Sequence, residues 1–566
     1  MLKSKSIRAI ICVFMAVLIV VLSLFTTVGV SSEDVIEENA VDKGLVLESQ
    51  RPTGAMPDTR IAIPDSESTF LTYDMRSLPN AVDLSQSESF PPIGDQGSIS
   101  SCVAWACAYY QFGYQVAAMN SWNVTNDTSK QFSPKWIYNM VNRGKDEGCS
   151  AEYVYWVLQT HGDVRFSECV PTGADTPSEY KSWYLDEDAL EQALRYRVVS
   201  NEHLEFASTL IDTPVTSYNS NCLTNMKTLI NNGHVLTINT EFRAWDYKQL
   251  TSQTKSELNG QYVCIKVEDK NNTDSSHQMA VVGYDDTVSY DLNGNGTIQN
   301  FEKGAFKIAN SHGTGYKNDG FVWLMYDALN PVSNASSQNS ENRLGAFINN
   351  AYDVIAVAEF SLDLVAKVTI GQRFRCCSKV DLGVSTIEGN VPANNVPTIV
   401  DHTQPYMMLN FLNYSGTGTD YEEATFVLDY GSLFNYCRER MKYYVSISDA
   451  LLQNNSTTIK KIELVDSTGK IISVSNDTIE LYDETRTFAY QIGLVGDVNN
   501  DGVVSTADAT LIRKYCSDLA QLSDEDLVFA DVNGDGNVTL NDATTIQKYI
   551  ADLITEFENG KVSVFN

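Results

Sequence analysis

Residues 96–119 of this 566-residue chain read QGSISSCVAWACAYYQFGYQVAAM, and they set the first expectation for the fold. From Ile99 onward the stretch is apolar almost all round, a pattern typical of a helix at the centre of a domain. Cys102 would lie at the start of that helix, where the positive field of the first turn lowers a thiol pKa. The stretch therefore predicts a buried central helix that begins with a reactive cysteine.

Two later segments supply what a nucleophilic thiolate needs, namely a base and a group that orients the base. His277 stands in SHQMAVVGY, at the entry to a buried strand. Asn310 stands in FKIANSHGTGY, where a strand ends in a glycine-rich turn. An amide oxygen there could accept the imidazole N–H. The two segments predict a Cys-His-Asn site.

These three blocks, in this order, resemble the papain family of cysteine peptidases over about residues 79–330. The resemblance implies an α+β peptidase domain in which Cys102 is the nucleophile and His277 is the base and later the acid. It implies that Asn310 orients His277, and that Gln96 donates to the oxyanion beside the backbone N–H of Cys102. The implied reaction is hydrolysis of a protein or peptide substrate.

The chain departs from the family pattern at three positions. Val103 and His312 stand where the family usually has tryptophans, and Ile99 stands where a disulfide cysteine is common, which leaves Cys149 without its usual partner. His312 could support the Asn–His pair or be merely a surface substitution. The changes keep a second interpretation open: a catalytically inactive papain-fold subunit that serves recognition only.

Charge restricts the partners. The chain has 72 acidic against 40 basic residues, a net charge of −32. Such a chain repels phosphate backbones, so we expect no nucleic-acid partner. Clustered carboxylates would instead suit calcium.

The N-terminus predicts export. A basic start at Lys3, Lys5 and Arg8 precedes an apolar run over residues 9–30. Residues 1–32 therefore read as a signal peptide, or as an anchor if left uncleaved, so a membrane is a partner only in the second case. Residues 33–78 read as a pro-segment or linker. We expect a secreted protein, working in an extracellular or cell-surface assembly.

The pattern of polar and apolar residues changes after the peptidase-like region, for which we predict the bounds 79–345. A polar stretch at 330–343 is followed by alternating strand patterns, such as KIELVDSTGKIISV at 461–474. Residues 352–490 therefore predict an all-β, sandwich-like module.

The last 70 residues contain a repeat of period 34 with the pattern D-x-N-x-D-G-x-V-x-x-x-D. Oxygens at positions 1, 3, 5, 7, 9 and 12, with glycine at 6, are the spacing of a calcium loop. The expected ligands, the position-7 carbonyls of Val503 and Asn537 included, are Asp497, Asn499, Asp501, Val503, Ser505 and Asp508, then Asp531, Asn533, Asp535, Asn537, Thr539 and Asp542.

Each loop is followed by one predicted helix, and no helix is evident before either loop. Two such units resemble the dockerin domain of cellulosome-type, polysaccharide-degrading assemblies, over residues 494–554, with a tail at 555–566. The resemblance implies two bound Ca²⁺ ions and a cohesin module of a scaffoldin as partner. It also implies a small α domain.

A third loop of this kind lies between His277 and Asn310. Positions 1, 3, 5, 7, 9 and 12 of residues 291–302 hold oxygen ligands, with glycine at 6. The candidate ligands are Asp291, Asn293, Asn295, Thr297 (carbonyl), Gln299 and Glu302. The alternative is a plain Asn/Gly hairpin tip.

Together these features predict a multidomain, exported cysteine endopeptidase: an α+β papain-like domain, an all-β module and a small α dockerin.

Overall fold

The structure is a computed structural model that describes residues 78–565. Its gaps are at 143, 172–178, 183–185, 206–219, 269–275, 330–342, 345–349, 357, 387–399, 402–412, 432–440, 450–455, 468, 470, 477, 493, 502, 556 and 558–561. The predicted export segment, nearly all of residues 33–78 and most of the polar stretch at 330–343 lie outside the described residues. Within the described residues, no helix has the length and apolar character needed to cross a bilayer.

The central helix is a continuous run of three segments. These are α1 (Cys102–Ala104), a π-helical stretch (Trp105–Phe112) and α2 (Gly113–Met119). Every residue from 102 to 117 is buried, as the sequence predicted. One side of the helix packs on further helices, and the other side, which carries Trp105 and Tyr110, packs on the sheet.

The other helices of this domain are α3 (Pro134–Val141), α4 (Ala151–Thr160), α5 (Glu187–Ala193) and α6 (Ser220–Asn231). Its strands are β1 (Ala81–Asp83), β2 (Val198–Glu205), β3 (Leu236–Glu241), β4 (Trp245–Gln249), β5 (Tyr262–Glu268), β6 (Ser276–Ser289), β7 (Lys303–Ala309), β8 (Phe321–Met325), β9 (Arg343–Leu344) and β10 (Asn350–Ala356). They form one ten-stranded sheet in the order β2-β10-β3-β6-β7-β8-β5-β4, with β1 on β6 and β9 on β5. The domain is α+β, as predicted.

Strands β6 and β7 form the hairpin that matters for function. They are antiparallel, with Ala280 opposite Ala309. Because the residue numbers run in opposite directions along the two strands, His277 near the start of β6 lies beside the residues that follow Ala309. The hairpin therefore brings together two segments 33 residues apart.

The predicted boundary between the first domain and the β module needs correction. We ended the first domain at 345 and began the module at 352, but β10, Asn350–Ala356, pairs with β2 and β3. Its buried side chains, such as Ala351 and Val354, belong to the core of the first domain. The alternating pattern of a strand does not reveal which sheet it joins.

In the described part of the second module the named elements are strands and the short 3₁₀ turn Arg375–Cys377. Its strands are β11 (Leu364–Gln372), β12 (Ser378–Thr386), β13 (Val400–Asp401), β14 (Glu422–Asp429), β15 (Met441–Asp449), β16 (Thr457–Asp466), β17 (Ile471–Ser475), β18 (Ile479–Leu481) and β19 (Thr485–Ile492). One sheet has the order β14-β11-β16-β17, with β18 on β16, and the other the order β13-β12-β15-β19. Apolar residues of both sheets share one core, so the predicted sandwich-like module is confirmed.

That core continues into the first domain. Leu190 and Leu194, at the end of α5, share a cluster with Phe426 and Leu428 of β14. Beside this contact, the buried guanidinium of Arg197 forms an ion pair with the buried carboxylate of Asp429. The described parts of the two domains are therefore packed as one body rather than joined by a tether.

The C-terminal region contains helices α7 (Thr506–Cys516), α8 (Asp524–Ala530) and α9 (Leu540–Ile550). The first and third follow the two predicted loops. The expectation that no helix precedes either loop was wrong for the second, since α8 ends one residue before Asp531. A reciprocal cap between Ser523 and Asp526 stabilises this short helix.

The predicted tail contains a final strand, β20 (Val562–Phe565), which pairs with β19 of the sandwich. Strand β19 ends at Ile492 and the helical region begins just after it. The helical region is thus inserted between two adjacent strands of one sheet, and both of its ends are attached to the β module.

Candidate active site

Cys102 is the first residue of α1 and is fully buried. The backbone N–H groups of a helix's first turn are not used by the helix's own hydrogen bonds, so they create a positive field there. Helix α1 packs against β6, the strand that carries His277. The fold thus places a cysteine at a helix N-terminus next to the strand of the predicted base.

His277 and Asn310 are in direct contact. The Nε2 atom of His277 lies 2.8 Å from Oδ1 of Asn310, and both residues are fully buried. The backbone N–H of Ser311 also donates to Oδ1 of Asn310, at 2.8 Å. Because a backbone N–H can only donate, the atom it reaches must be the amide oxygen, which settles the orientation of the Asn310 side chain.

This orientation determines the tautomer of His277. An amide oxygen accepts, so neutral His277 must carry its proton on Nε2 and have a lone pair on Nδ1. A base needs that lone pair to take a proton from a thiol. Burial lowers the pKa of His277 to about 4, an effect that the Asn310 hydrogen bond opposes and the Arg243 charge reinforces. The isolated imidazole is therefore neutral at pH 7.

Gln96 is tied to the same corner by several contacts. Its Nε2 donates to the carbonyl of Ile99 at 2.8 Å, and its Oε1 accepts from the hydroxyl of Ser311 at 2.6 Å. Its backbone N–H also donates to the carbonyl of Ser311 at 2.9 Å. Gln96 thus joins the loop before Cys102 to the turn after Asn310, and its side chain is buried and held in place.

Among the cysteines that the structure describes, Cys107, Cys149 and Cys516 are free thiols. Cys149 accordingly has no disulfide, as its missing partner at Ile99 suggested. Burial raises the pKa of Cys107 to about 12 and raises the pKa of Cys149 as well. Those two neighbours of Cys102 are unsuited to be nucleophiles at neutral pH.

Phe242 is a site residue that the sequence did not indicate. It begins a short 3₁₀ turn, Phe242–Ala244, and its ring lies 4.9 Å from the ring of His277 and 5.3 Å from that of His312. It excludes water from the imidazole, and the next residue, exposed Arg243, brings a positive charge close to it. No motif surrounds Phe242, so only the fold could reveal it.

The two C-terminal loops have the internal bonding of a calcium loop. In the second, the N–H groups of Asp535 and Gly536 donate to Oδ1 and Oδ2 of Asp531, at 3.1 and 2.8 Å. The position-12 carboxylate, Asp542, is buried and accepts from Val532 and Thr539. The first loop repeats this with Asp497 and Asp508. The oxygens required for a hard cation are thus gathered in each loop.

The inserted loop at 291–302 has the same hydrogen bonds, position by position. The N–H groups of Asn295 and Gly296 donate to Oδ1 and Oδ2 of Asp291, at 3.2 and 2.7 Å. Glu302 is buried at position 12 and accepts from Leu292 and Gln299, at 2.9 and 2.8 Å. Gly296 has a φ of +77°, close to the +82° of Gly536 in the second C-terminal loop. The loop therefore shares the internal hydrogen bonding of the second C-terminal loop.

In their described residues, the loops combine carboxylates with neutral oxygen groups. The described residues contain no group of three or more His, Cys, Asp or Glu side chains that could by itself hold a metal ion. A cation in the loops would depend on amide, hydroxyl and carbonyl oxygens as well, which is the ligand chemistry of calcium rather than of zinc.

Comparison with known proteins gives a sequence match in the C-terminal region. Residues 495–551 match the dockerin type I domain, which confirms the dockerin prediction. In a solved complex from Acetivibrio cellulolyticus, the ScaB dockerin bound to the third cohesin of ScaC, the matching chain is 33% identical over 12% of this chain and 92% of its own, with a TM-score of 0.11. No curated protein matches the chain.

Solved structures that match the N-terminal half are cysteine proteases. Xylellain from Xylella fastidiosa is 16% identical over 54% of this chain and 96% of its own, with a TM-score of 0.33. Digestive procathepsin L 3 from the larval midgut of Tenebrio molitor is 14% identical over 54% of this chain and 77% of its own, with a TM-score of 0.32.

Proposed function

We propose that the chain is an exported cysteine endopeptidase that attaches to a cohesin through a calcium-dependent dockerin. The observation that carries the peptidase proposal is the oriented pair His277–Asn310, anchored by the N–H of Ser311, on the strand against which the Cys102 helix packs. A buried binding surface would not require an imidazole with its Nδ1 lone pair held available.

The proposed reaction proceeds in two steps. Nδ1 of His277 takes the Sγ proton of Cys102, and the thiolate attacks the peptide carbonyl. The oxyanion that forms accepts hydrogen bonds from the backbone N–H of Cys102 and from the side-chain –NH₂ group of Gln96. His277 then gives its proton to the leaving amine as the C–N bond breaks. In the second step His277 activates a water molecule, which hydrolyses the thioester and regenerates the thiol.

Substitution separates the enzyme from the inactive-subunit alternative. Cys102→Ala and His277→Ala should each remove nearly all hydrolysis of an unstructured protein substrate, because members of a catalytic unit are not additive. Asn310→Ala should retain more activity, since Asn310 only orients the base. Equal hydrolysis by wild type and Cys102→Ala would favour the binding subunit. So would a thiol that iodoacetamide fails to alkylate in a pH-dependent way.

The docking half of the proposal depends on the two C-terminal loops. Each loop would hold one Ca²⁺, which would offset two of the three aspartate charges of the loop and stabilise the fold of the region. Asp497→Ala combined with Asp531→Ala removes the first ligand of both loops. Cohesin binding, measured by calorimetry with and without chelator, should vanish while peptide hydrolysis persists. Retention of binding in chelator would contradict calcium-dependent docking.

We include the loop at 291–302 as a third calcium site, in the peptidase domain. It has the same bonding pattern as the dockerin loops, and it joins β6, which carries His277, to β7, which ends at Ala309 next to Asn310. Its ligands carry two formal charges, on Asp291 and Glu302, whereas each dockerin loop carries three. Since ligand charge helps to tune affinity, this site should bind calcium more weakly.

A further inference from the structure

His312 lies at the point where the chain departs from the papain pattern, and the structure shows it inside the site. Its side chain is 2% exposed. Its ring centroid is 4.9 Å from that of His277, with the planes tilted by 36°, and Phe242 meets its ring edge-on at 5.3 Å. His312 is thus neither a surface residue nor a plain apolar shield.

The second contact of His312 is with the Asn310 side chain. Its Nδ1 lies 3.3 Å from Nδ2 of Asn310. The Ser311 N–H has already identified the other amide atom as oxygen, so Nδ2 is an –NH₂ group that can only donate. The Nδ1 atom of His312 must therefore be the acceptor, which requires neutral His312 with its proton on Nε2.

We infer that His312 is a positioning residue for the proposed peptidase, and that the site works only while His312 is neutral. This inference rests on the proposed function. Neutral His312 accepts a hydrogen bond from the –NH₂ group of Asn310. The Asn310 oxygen then points at Nε2 of His277, which leaves Nδ1 of His277 available for the thiol of Cys102. The chain of contacts runs His312–Asn310–His277 toward Cys102.

Protonation of His312 would reverse both effects. Its Nδ1 would carry a proton facing the –NH₂ of Asn310, so the amide would lose its second anchor. A positive charge would also lie about 5 Å from the ring that must become an imidazolium in catalysis, and like charges at that separation oppose each other. Protonation of His312 should therefore reduce turnover through Asn310 and His277, without a contact between His312 and the substrate.

The groups that face His312 act in opposite directions. His277 on β6 opposes a positive charge on His312 once it is itself protonated, and the charge of Arg243 on the 3₁₀ turn acts on the His277 ring. Asp95 favours a positive charge on His312, since it forms a backbone bridge to His312 and its carboxylate lies beside Gly313. Tyr316 meets the His312 ring edge-on at 5.8 Å and is uncharged at neutral pH. The charged side chains near the His277–His312 pair are thus of both signs.

The test compares His312→Phe with His312→Gln in the full chain. Phenylalanine keeps the ring stack but removes the acceptor, whereas glutamine supplies an amide oxygen that does not titrate. We expect His312→Phe to lower kcat at pH 7.5 on the order of tenfold with KM little changed, a part of the roughly 100- to 10,000-fold that general acid–base catalysis supplies. His312→Gln should restore most of that loss.

The pH profile gives the decisive readout. Below its optimum, log kcat of the wild type should fall with a slope near two, because protons on His277 and on His312 both inhibit. Both variants should show a slope near one. A wild-type slope of one, unchanged in the variants, together with full activity of His312→Phe, would overturn the inference.

A measurement independent of turnover keeps this separate from the proposed function. The chain has six histidines, so ¹⁵N-histidine NMR of Cys102→Ala can assign each tautomer. We expect His312 protonated on Nε2 only, and a His277 Nε2 proton signal that broadens in His312→Phe. An Nδ1 proton on His312 at pH 7.5 would overturn the inference. Absence of hydrolysis in the wild type, with these signals present, would instead count against the peptidase.

Discussion

At the scale of single residues, the site is organised by one backbone N–H. Ser311 donates to Asn310, and from that single bond follow the amide orientation, the His277 tautomer and the acceptor role of His312. The motif predicted the partners His277 and Asn310. It did not predict the direction of each hydrogen bond, which depends on how the turn after β7 is folded.

Gln96 provides a prediction at this scale. The backbone N–H of Gln96 stays bonded to the carbonyl of Ser311 without the side chain, so loss of the amide should leave the loop in place. Gln96→Ala should lower kcat by about 100-fold or more with KM little changed, as loss of an oxyanion donor does. Ser311→Ala, which removes only the contact to the Gln96 oxygen, is the matched control and should cost far less. Equal losses would indicate a structural role for Gln96.

His277 provides a second prediction, on stability against pH. Burial lowers its folded-state pKa to about 4, below the unfolded value of about 6.5. The unfolded state therefore binds more protons between these values, and the free energy of unfolding should fall as pH drops from about 6.5 to about 4.

Urea unfolding of Cys102→Ala at pH 7.5 and pH 5 measures this, since the substitution removes the thiol as a partner. Adding His277→Gln should remove part of the pH dependence. An unchanged difference between the two pH values would show that other groups account for the acid loss.

At the scale of elements, the loop at 291–302 connects β6, which carries His277, to β7, which ends next to Asn310. If calcium holds this loop, it also holds the separation of β6 and β7. A misplacement of about 1 Å at a catalytic group can cost on the order of 100-fold in rate. Under the proposed third calcium site, the loop would therefore control the geometry of the His277–Asn310 pair from a distance.

The prediction is that chelation lowers both the melting temperature and the hydrolysis rate of the full chain in the Asp497→Ala/Asp531→Ala background. Bound calcium stabilises the folded state by mass action. Adding Asp291→Ala should abolish both responses while Cys102 still reacts with iodoacetamide. Glu257→Ala, an exposed acid outside the loop, is the control. No calcium response in the double variant would reduce the loop to a hairpin tip.

The full chain is needed for that experiment because of another element, β10. A chain that ends at residue 345 would lack the strand between β2 and β3. It would also lose Asp353, whose buried carboxylate lies 2.8 Å from Nδ1 of His234 at the start of β3. The sheet would lose an interior strand rather than an edge strand, so β2 would have no neighbour to pair with among the described strands.

At the scale of the whole molecule, the described parts of the β module and the first domain share one core. The shared core at α5 and β14, with the buried Arg197–Asp429 pair beside it, couples the two. Removing one member of a buried ion pair leaves an uncompensated charge and costs roughly 3–5 kcal/mol, whereas a partly exposed pair is worth about 0–1 kcal/mol. A substitution in the module should therefore destabilise the catalytic domain.

The seven tryptophans make this prediction measurable, since all precede residue 330 and report only on the first domain. Asp429→Ala should shift the urea midpoint of tryptophan fluorescence strongly. Lys367→Met breaks the nearby, more exposed contacts with Glu187 and Glu191 and should shift it little. An unchanged midpoint in Asp429→Ala would mean that the two domains unfold independently.

The sequence alone determined the features that depend on residues close together in the chain. The dockerin loops, the buried central helix and the segments of Cys102, His277 and Asn310 each depend on short-range spacing, and local patterns report that directly. What only the tertiary structure decided were contacts between distant segments: β10 in the first sheet, β20 beside β19, Asp429 against Arg197, and Phe242 and His312 around His277. The alternating pattern of a strand shows which side chains are buried. It does not show which other segment they pack against, because the partner lies far away in the sequence.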